Sequence, residues 1–341
     1  MSSLVHLPSG ETFDYWWEEM RGRAGRKRFL LTKILEVIAY KASKTGRVTS
    51  SKHQPQAVLE LPPQILRNGV NQRSQGVVII PAKCRSEAQF ALLQRCIDKL
   101  VEQTAAIIVI NDGSDVWSRL PETIHVLTNE KSKGPAASRN QGLDVALKNG
   151  ADVILFTDSD CVPESNWVSE AIAGLVENPY IHCVSGRTDS ANATWFDKYH
   201  EINGTLNGRC FQGTNILLYG PTCNLVVSRH LAEQFRFDES FPNAACEDID
   251  FCFRLLQQGF RVIHRQSLVV KHDYQYQHGD WVSNAIRFVR QFRKYAQAES
   301  LLVAKFPNYY PYFGQTQEIG RYKHPGSLVP ENIPRRHGSV F

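Results

Sequence analysis

A chain of 341 residues that is 42% hydrophobic and 21% charged has an ordinary globular composition, long enough for about two domains or one large α/β domain with extensions. No apolar run approaches the roughly 20 residues of a spanning helix, and the start, Met1 to Gly10, lacks the basic-then-apolar pattern of a secretory signal. The eight cysteines (Cys84, Cys96, Cys161, Cys183, Cys210, Cys223, Cys246 and Cys252) form no Cys-x-x-Cys pair and no zinc-ligand spacing, so they read as reduced thiols of a cytoplasmic protein.

The net charge of +5 is unevenly spread. Between Arg21 and Lys52, ten Lys or Arg residues stand against one acid, Glu36, a local balance of +9. Within that segment Leu30, Leu31, Ile34, Leu35 and Ile38 recur at helical spacing. Such a helix either docks on an anionic membrane surface, where each basic residue contributes about 1 kcal/mol, or packs its apolar stripe on a catalytic domain. Nucleic acid is not an expected partner, because stacking aromatics are not interleaved with the charges and no nucleic-acid module follows. Residues 52–75 carry Pro55, Pro62-Pro63 and Asn68-Gly69 without a sustained period, which predicts a linker or cover segment.

From Gly76 strands and helices alternate. Val77 to Ile80 is a short apolar run closed by Pro81; Phe90 to Gln103 has helical spacing; Ile107 to Ile110 runs into Asn111-Asp112-Gly113-Ser114. Ile124 to Leu127 precedes a predicted helix from Ala136 to Lys148, and Val153 to Phe156 supplies a fourth strand ending in Asp158-Ser159-Asp160. This alternation predicts a parallel sheet covered on both faces, with ligands beyond the carboxyl ends of the strands. Pro81, Asp112 and Asp158 all fall there. If the chain stays extended, residues two apart share a face, so Asp158 and Asp160 address one divalent cation or its ligand.

After Asp160 the pattern loosens. Helices are predicted at Trp167 to Glu177, Asp248 to Gln258 (stopped by Gly259) and Trp281 to Phe306 (stopped by Pro307). Strands are predicted near Cys183 to Ser185, Asn224 to Ser228, Arg261 to Ile263 and Leu268 to Val270. The stretch between Ser185 and Gly220 reads as loops, and the tail is rich in Pro, Gly and Arg.

Five ordered features, Val77 to Pro81, Asn111 to Ser114, Lys133 to Asn140, Asp158-Ser159-Asp160 and Glu247-Asp248-Ile249-Asp250, give the chain a resemblance, over roughly Gly76 to Asp273, to the inverting family-two glycosyltransferases of the GT-A fold. The resemblance implies a Rossmann-like α/β catalytic domain at 76–273, preceded by a basic N-terminal extension and linker at 1–75 and followed by a helical extension and tail at 274–341. It implies transfer of a single sugar from a nucleotide-sugar donor, UDP by default, to a hydroxyl acceptor. Pro81, Asp112, Arg139 and Asp158 would then meet the nucleotide, with Asp112 on the base. Asp160 and His272 would hold Mn²⁺ or Mg²⁺. Asp248 would be the general base, with Glu247 as acceptor ligand or substitute base, and Asp250 would be structural.

The resemblance has gaps. The polar turn with Asn-Glu expected after the first strand is replaced by Ala82-Lys83-Cys84-Arg85-Ser86-Glu87. Gln291-Phe292-Arg293-Lys294-Tyr295 only loosely matches the Q-x-x-R-W pattern of processive synthases. The basic face formed by Arg287, Arg290, Arg293 and Lys294 would meet diphosphate, acceptor, lipid or only solvent. Two other readings of Asp158-Ser159-Asp160 are a haloacid-dehalogenase-like phosphatase with Asp158 as nucleophile, and a nucleotide-sugar-binding protein without turnover.

Overall fold

The computed structural model describes residues 31–39, 66–103, 105–241, 243–277 and 279–318. The flanks of the basic segment, the linker prolines Pro55, Pro62 and Pro63, and the Pro/Gly/Arg-rich tail lie outside the described residues.

Helix α1 covers residues 31–39. Then follow β1 (Gly76–Ala82), α2 (Glu87–Val101), β2 (Ala106–Asp112), β3 (Ile124–Asn129), α3 (Pro135–Lys148) and β4 (Val153–Phe156). The expected parallel core is the set β3-β2-β1-β4, in register from Val77↔Ala106 to Ala82↔Asn111 and from Gly76↔Val153 to Ile79↔Phe156. Side chains alternate between its faces. Val78 and Ile80 join Leu93, Cys96 and Ile97 of α2, while Val77 and Ile79 join Ala136, Leu143 and Ala146 of α3. Both faces are therefore dry, which is why these strands read as unbroken apolar runs.

The chain continues through β5 (Cys161–Pro163), α4 (Trp167–Val176), β6 (Cys183–Ser190), α5 (Trp195–Ile202), β7 (Arg209–Phe211), β8 (Ile216–Tyr219), β9 (Leu225–Ser228), α6 (Arg229–Gln234), α7 (Glu247–Gln257) and β10 (Val262–His272). It closes with α8 (Trp281–Lys305), α9 (Tyr309–Phe313) and β11 (Thr316–Glu318). Antiparallel β9 separates β4 from the parallel pair β6–β10, and β8, β7 and β11 extend the sheet by antiparallel pairing. The predicted strands 261–263 and 268–270 are one strand, β10, with a register shift between Arg265 and Val269. The stretch read as loops contains α5, β7 and β8; strands of three and four residues are too short to display a period.

The N-terminal helix packs on the domain mainly through polar side chains. Thr32, Lys33, Glu36 and Ala39 are buried on α1, whereas Leu31, Ile34 and Ile38 face solvent. Trp195 Nε1 donates to Thr32 Oγ1 at 2.9 Å, Lys33 Nζ donates to Glu36 at 2.9 Å, and the Tyr199 hydroxyl also donates to Glu36. Hydrogen bonds to α5 thus orient α1 polar side inward; of its apolar stripe, Leu35 packs against α5 and α8 while Leu31, Ile34 and Ile38 stay exposed. Buried polar atoms remain tolerable because they are paired.

The C-terminal segment seals the far end of the sheet. Phe306, Tyr309 and Tyr312 surround Phe253 of α7, with ring centroids 5.0, 5.4 and 5.5 Å away. No helix among the described residues is long and apolar enough to cross a membrane.

Candidate active site

Local chemistry fixes the end of β2. Asn111 Oδ1 accepts from Ser114 N at 3.0 Å, and Gly113 takes φ +67° so that the 131–134 loop can approach; a Cβ there would stand 2.8 Å from Ser132 N. That loop wraps the Asp112 carboxylate. Oδ1 accepts from Asn129 Nδ2 (3.0 Å) and Lys133 N (2.8 Å), and Oδ2 from Ser132 Oγ (2.7 Å) and Gly134 N (3.0 Å). Burial opposes the charge, but these donors outweigh it and hold Asp112 below the usual carboxylate range. A carboxylate offers about four acceptor sites, so Asp112 is saturated and its immediate work is to shape the loop. Gly134, at φ 92°, then starts α3 with Pro135 in its first turn.

The end of β4 departs from the extended geometry assumed for Asp158-Ser159-Asp160. The chain turns, with Cys161 N donating to Asp158 O at 3.0 Å, and the two carboxylates part. Asp158 Oδ1 meets Arg139 Nη2 at 2.9 Å. Asp160 Oδ1 meets His272 Nε2 at 3.2 Å. Antiparallel pairing of β5 with β10, including His272↔Cys161, brings this histidine alongside. Burial opposes ionisation of both partners. Their mutual attraction outweighs it, holding Asp160 low and raising His272 to about 10.

Asp160, Cys161 and His272 each offer a ligand atom, all within 4.8 Å of one another. Burial pushes the Cys161 thiol well above its ordinary value, which makes it the least ready of the three to ligate. The remaining oxygen and imidazole donors suit Mn²⁺. A cation competes there with the shared proton. His272 Nδ1 has no hydrogen-bond partner among the described residues.

Arg139 is the hub. It is 2% exposed, and Nη1 donates to Glu247 Oε1 at 2.7 Å while Nη2 serves Asp158. Burial alone would lower its pKa; Asp158 and Glu247 reverse that and raise it. Glu247, 2% exposed, accepts from Arg139 with Oε1, and burial raises its pKa against the pull of that arginine. Asp248, the next residue, is half-buried and pushed up to about 7, first by burial and then by the charge of Glu247. Both acids sit in the first turn of α7, whose N-cap, Cys246, holds the left-handed φ of 64°. Negative charge at that helix end is favourable. Asp250, expected to be structural, is buried and paired with Arg254 at 2.8 Å and with Lys305.

Two chambers meet at this hub. One, of about 480 Å³, is lined by Pro81, Asp112, Arg139, Asp158, Asp160 and His272, a size suited to a small-molecule ligand. The other, of about 150 Å³, is lined by Glu247 and Asp248 together with Tyr309 and Phe313. Arg139, Asp158, Leu206, Ala244 and Tyr295 border both. Of the basic face on α8, Arg287 reaches the larger chamber, and Gln291 and Tyr295 join it there. Sequence reasoning missed Gln275, whose Nε2 lies 3.4 Å from Asp160 and whose φ is +61°. No periodic signal marks such a loop residue, although its closeness to His272 in sequence was available.

Residues 77–235 match the family model described as Glycosyl transferase family 2. The likeness to that family lies in this segment, which runs from β1 to α6. Over 219 residues the chain is 28% identical to the pre-mycofactocin glycosyltransferase of Mycobacterium tuberculosis, covering 60% of this chain and 44% of that protein. It thus spans less than half the length of that curated relative. Among solved structures it is similar to S. aureus TarS 1-349 in complex with UDP-GlcNAc (TM-score 0.47, 15% identity, 70% of this chain and 73% of that one). It is also similar to the mannosyltransferase PcManGT from Pyrobaculum calidifontis in complex with GDP-Man and Mn2+ (TM-score 0.45, 14% identity, 83% of this chain and 78% of that one).

Proposed function

We propose that this chain transfers a single sugar, with inversion, from a nucleotide-sugar donor, UDP-linked by preference, to a hydroxyl acceptor. The observation that carries the reading is the meeting of the two chambers at Arg139 and Asp158, with Asp160 and His272 on one side and Asp248 on the other. The larger chamber takes the donor, and Pro81, Asp112, Arg139 and Asp158 form its nucleotide side. The smaller takes the acceptor.

In this reading Asp248 accepts the proton of the acceptor hydroxyl. The freed oxygen attacks the anomeric carbon opposite the leaving diphosphate; the new C–O bond forms as the old one breaks, and the electron pair departs with the nucleoside diphosphate. A divalent cation held by Asp160 and His272, Mn²⁺ or Mg²⁺, would neutralise charge on that leaving group. Arg139 holds the Asp158 and Glu247 carboxylates in place beside the reacting centre. The phosphatase reading is not favoured, because Arg139 engages the carboxylate that would have to attack. We place the protein in the cytoplasm, with peripheral contact at the membrane through residues 21–52, on the strength of their +9 charge.

Calorimetry of UDP, GDP and dTDP with and without Mn²⁺ tests the donor side. Mn²⁺-dependent binding of UDP, abolished in Asp160→Asn, is the expected result. Equal UDP affinity in that variant would remove Asp160 from the metal site.

A further inference from the structure

Helix α1 buries hydrogen-bonding side chains and leaves Leu31, Ile34 and Ile38 at 41, 53 and 52% exposure. Helix α8 does something similar at its start, where Trp281, Val282 and Ile286 are 43, 62 and 47% exposed. Arg290 and Arg293 follow Ile286 by four and seven residues, which puts them on the same exposed side, and Lys294 is exposed next to them. The two helices are neighbours: Leu35 and Ala39 of α1 share one apolar cluster with Ala285, Phe288, Phe292 and Ala296 of α8. Phe196 of α5, one residue after the Trp195 that bonds α1, packs 6.2 Å from Trp281.

We propose that this α1–α8 surface docks the protein on a bilayer containing anionic lipid. Leu31, Ile34, Ile38, Val282 and Ile286 enter the boundary between headgroups and acyl chains, and Arg290, Arg293 and Lys294 lie over lipid phosphates. This names the face for the peripheral contact in the functional reading and is independent of the transfer chemistry. Charge selects the occupant. A second copy would bring basic helix against basic helix, and the sequence around α1, residues 21–52, carries nine further net positive charges. An anionic bilayer satisfies both the apolar groups and the cations.

The test is sedimentation of the full chain with phosphatidylcholine vesicles, with and without phosphatidylglycerol, alongside UDP calorimetry. Association is expected only with phosphatidylglycerol and should weaken as salt rises. Ile34→Ser with Ile38→Ser should lower it by about tenfold. Arg290→Ala with Arg293→Ala should lower it by about thirtyfold at low salt. UDP affinity should not change in either. Equal association with neutral vesicles, or wild-type association of both variants, overturns the proposal. So does a concentration-dependent dimer that dissolves in the isoleucine variant without any vesicle binding, because the stripe then belongs to a second copy. An isoleucine variant that unfolds overturns it too, since the stripe would be covered by protein. Absence of UDP binding in the wild type would sink the transfer reading and leave the vesicle result standing.

Discussion

The larger chamber, proposed as the donor chamber, is framed by the carboxyl ends of β1, β2 and β4, neighbouring strands of one parallel core, whereas the smaller, proposed as the acceptor chamber, is closed by α7 and by aromatic residues of α8 and α9. Their charges are held by different means. On the donor side Asp112 is saturated by two backbone amides and two side chains from the loop before α3. On the acceptor side Glu247 leans on a single buried arginine, and Asp248 keeps a pKa of about 7. Backbone amides cannot move or titrate, so the first arrangement gives a fixed site. The second leaves a group poised to exchange a proton.

Arg139 belongs to both sides, and its removal should produce the largest effect. Arg139→Ala strands two carboxylates, an outcome that costs about 3–5 kcal/mol when one partner of a buried pair is lost. A lowered melting temperature, together with loss of both UDP binding and turnover, is expected. Arg139→Lys should not restore them, because an ammonium lacks the planar fork that reaches two carboxylates. A stable, active lysine variant would mean that the chambers are not coupled through this residue.

Asp248→Asn separates the two sides. Turnover should drop by roughly 10²–10⁴-fold, the usual loss for a general base, while UDP affinity stays. Wild-type turnover would shift the base elsewhere, and lost UDP affinity would make Asp248 a structural residue of the α7 start.

The pH dependence follows from the same group. Asp248 is raised from 3.8 to about 7 by burial and by Glu247, so the folded state holds its proton more tightly than the unfolded chain does. Its contribution to stability is therefore present at low pH and lost as pH rises from about 4 through about 7. Turnover, which needs the ionised form, should climb over the upper part of that window. Melting temperature and kcat measured against pH should thus move in opposite directions near pH 7, and Asp248→Asn should lose this component of both slopes. Parallel trends would contradict the assignment.

Asp112→Asn tests the fixed side with a smaller effect. One acceptor oxygen becomes an amide NH2 facing one backbone N–H and one side-chain donor, a cost of about 1–3 kcal/mol. UDP affinity should fall by about tenfold to hundredfold, with kcat at saturating donor nearly unchanged; a selective loss of kcat would show that the loop serves the acceptor instead.

The smallest effect concerns Cys246. A left-handed φ costs a side chain roughly 1 kcal/mol, so Cys246→Gly should change stability little, gaining backbone ease and losing a buried thiol. Cys246→Val, whose branched side chain tolerates that φ poorly, should lower both melting temperature and turnover. Equal stability of the two variants would argue that the α7 start carries no strain.

The same contrast explains what the sequence made legible. Val77 to Ile80, Ile107 to Ile110 and Val153 to Phe156 are buried on both faces, so they stand out as apolar runs, and the residues after them fall at the strand ends where ligands gather. The resemblance brings Asp160 and His272 together, but the cause of their approach, the three-residue pairing of β5 with β10, has no periodic signal in the sequence. The saturation of Asp112 also escaped, because its donors come from residues 129–134 and half of them are backbone amides. Periodicity identified an amphipathic α1 but not its orientation. That is decided by Trp195 and Tyr199, over 160 residues away in sequence.

Arg209, on the wall of the acceptor chamber, donates to Thr316 Oγ1 at 2.9 Å and to Thr316 O at 3.1 Å, and lies 4.1 Å over the Phe313 ring. The partners are 107 residues apart. The donor chamber's strand-end residues, by contrast, are assembled once β10 has delivered His272. Loop entropy does not order the two, since Asp160 and His272 are themselves 112 residues apart; residues 309–318, however, add β11 at the outer edge of a sheet that β10 has already joined. The order of maturation should follow: on refolding, UDP binding returns in an earlier kinetic phase than sugar transfer, and the interval between them measures the docking of residues 309–318. Coincident recovery of both would mean that the two chambers form in one cooperative step.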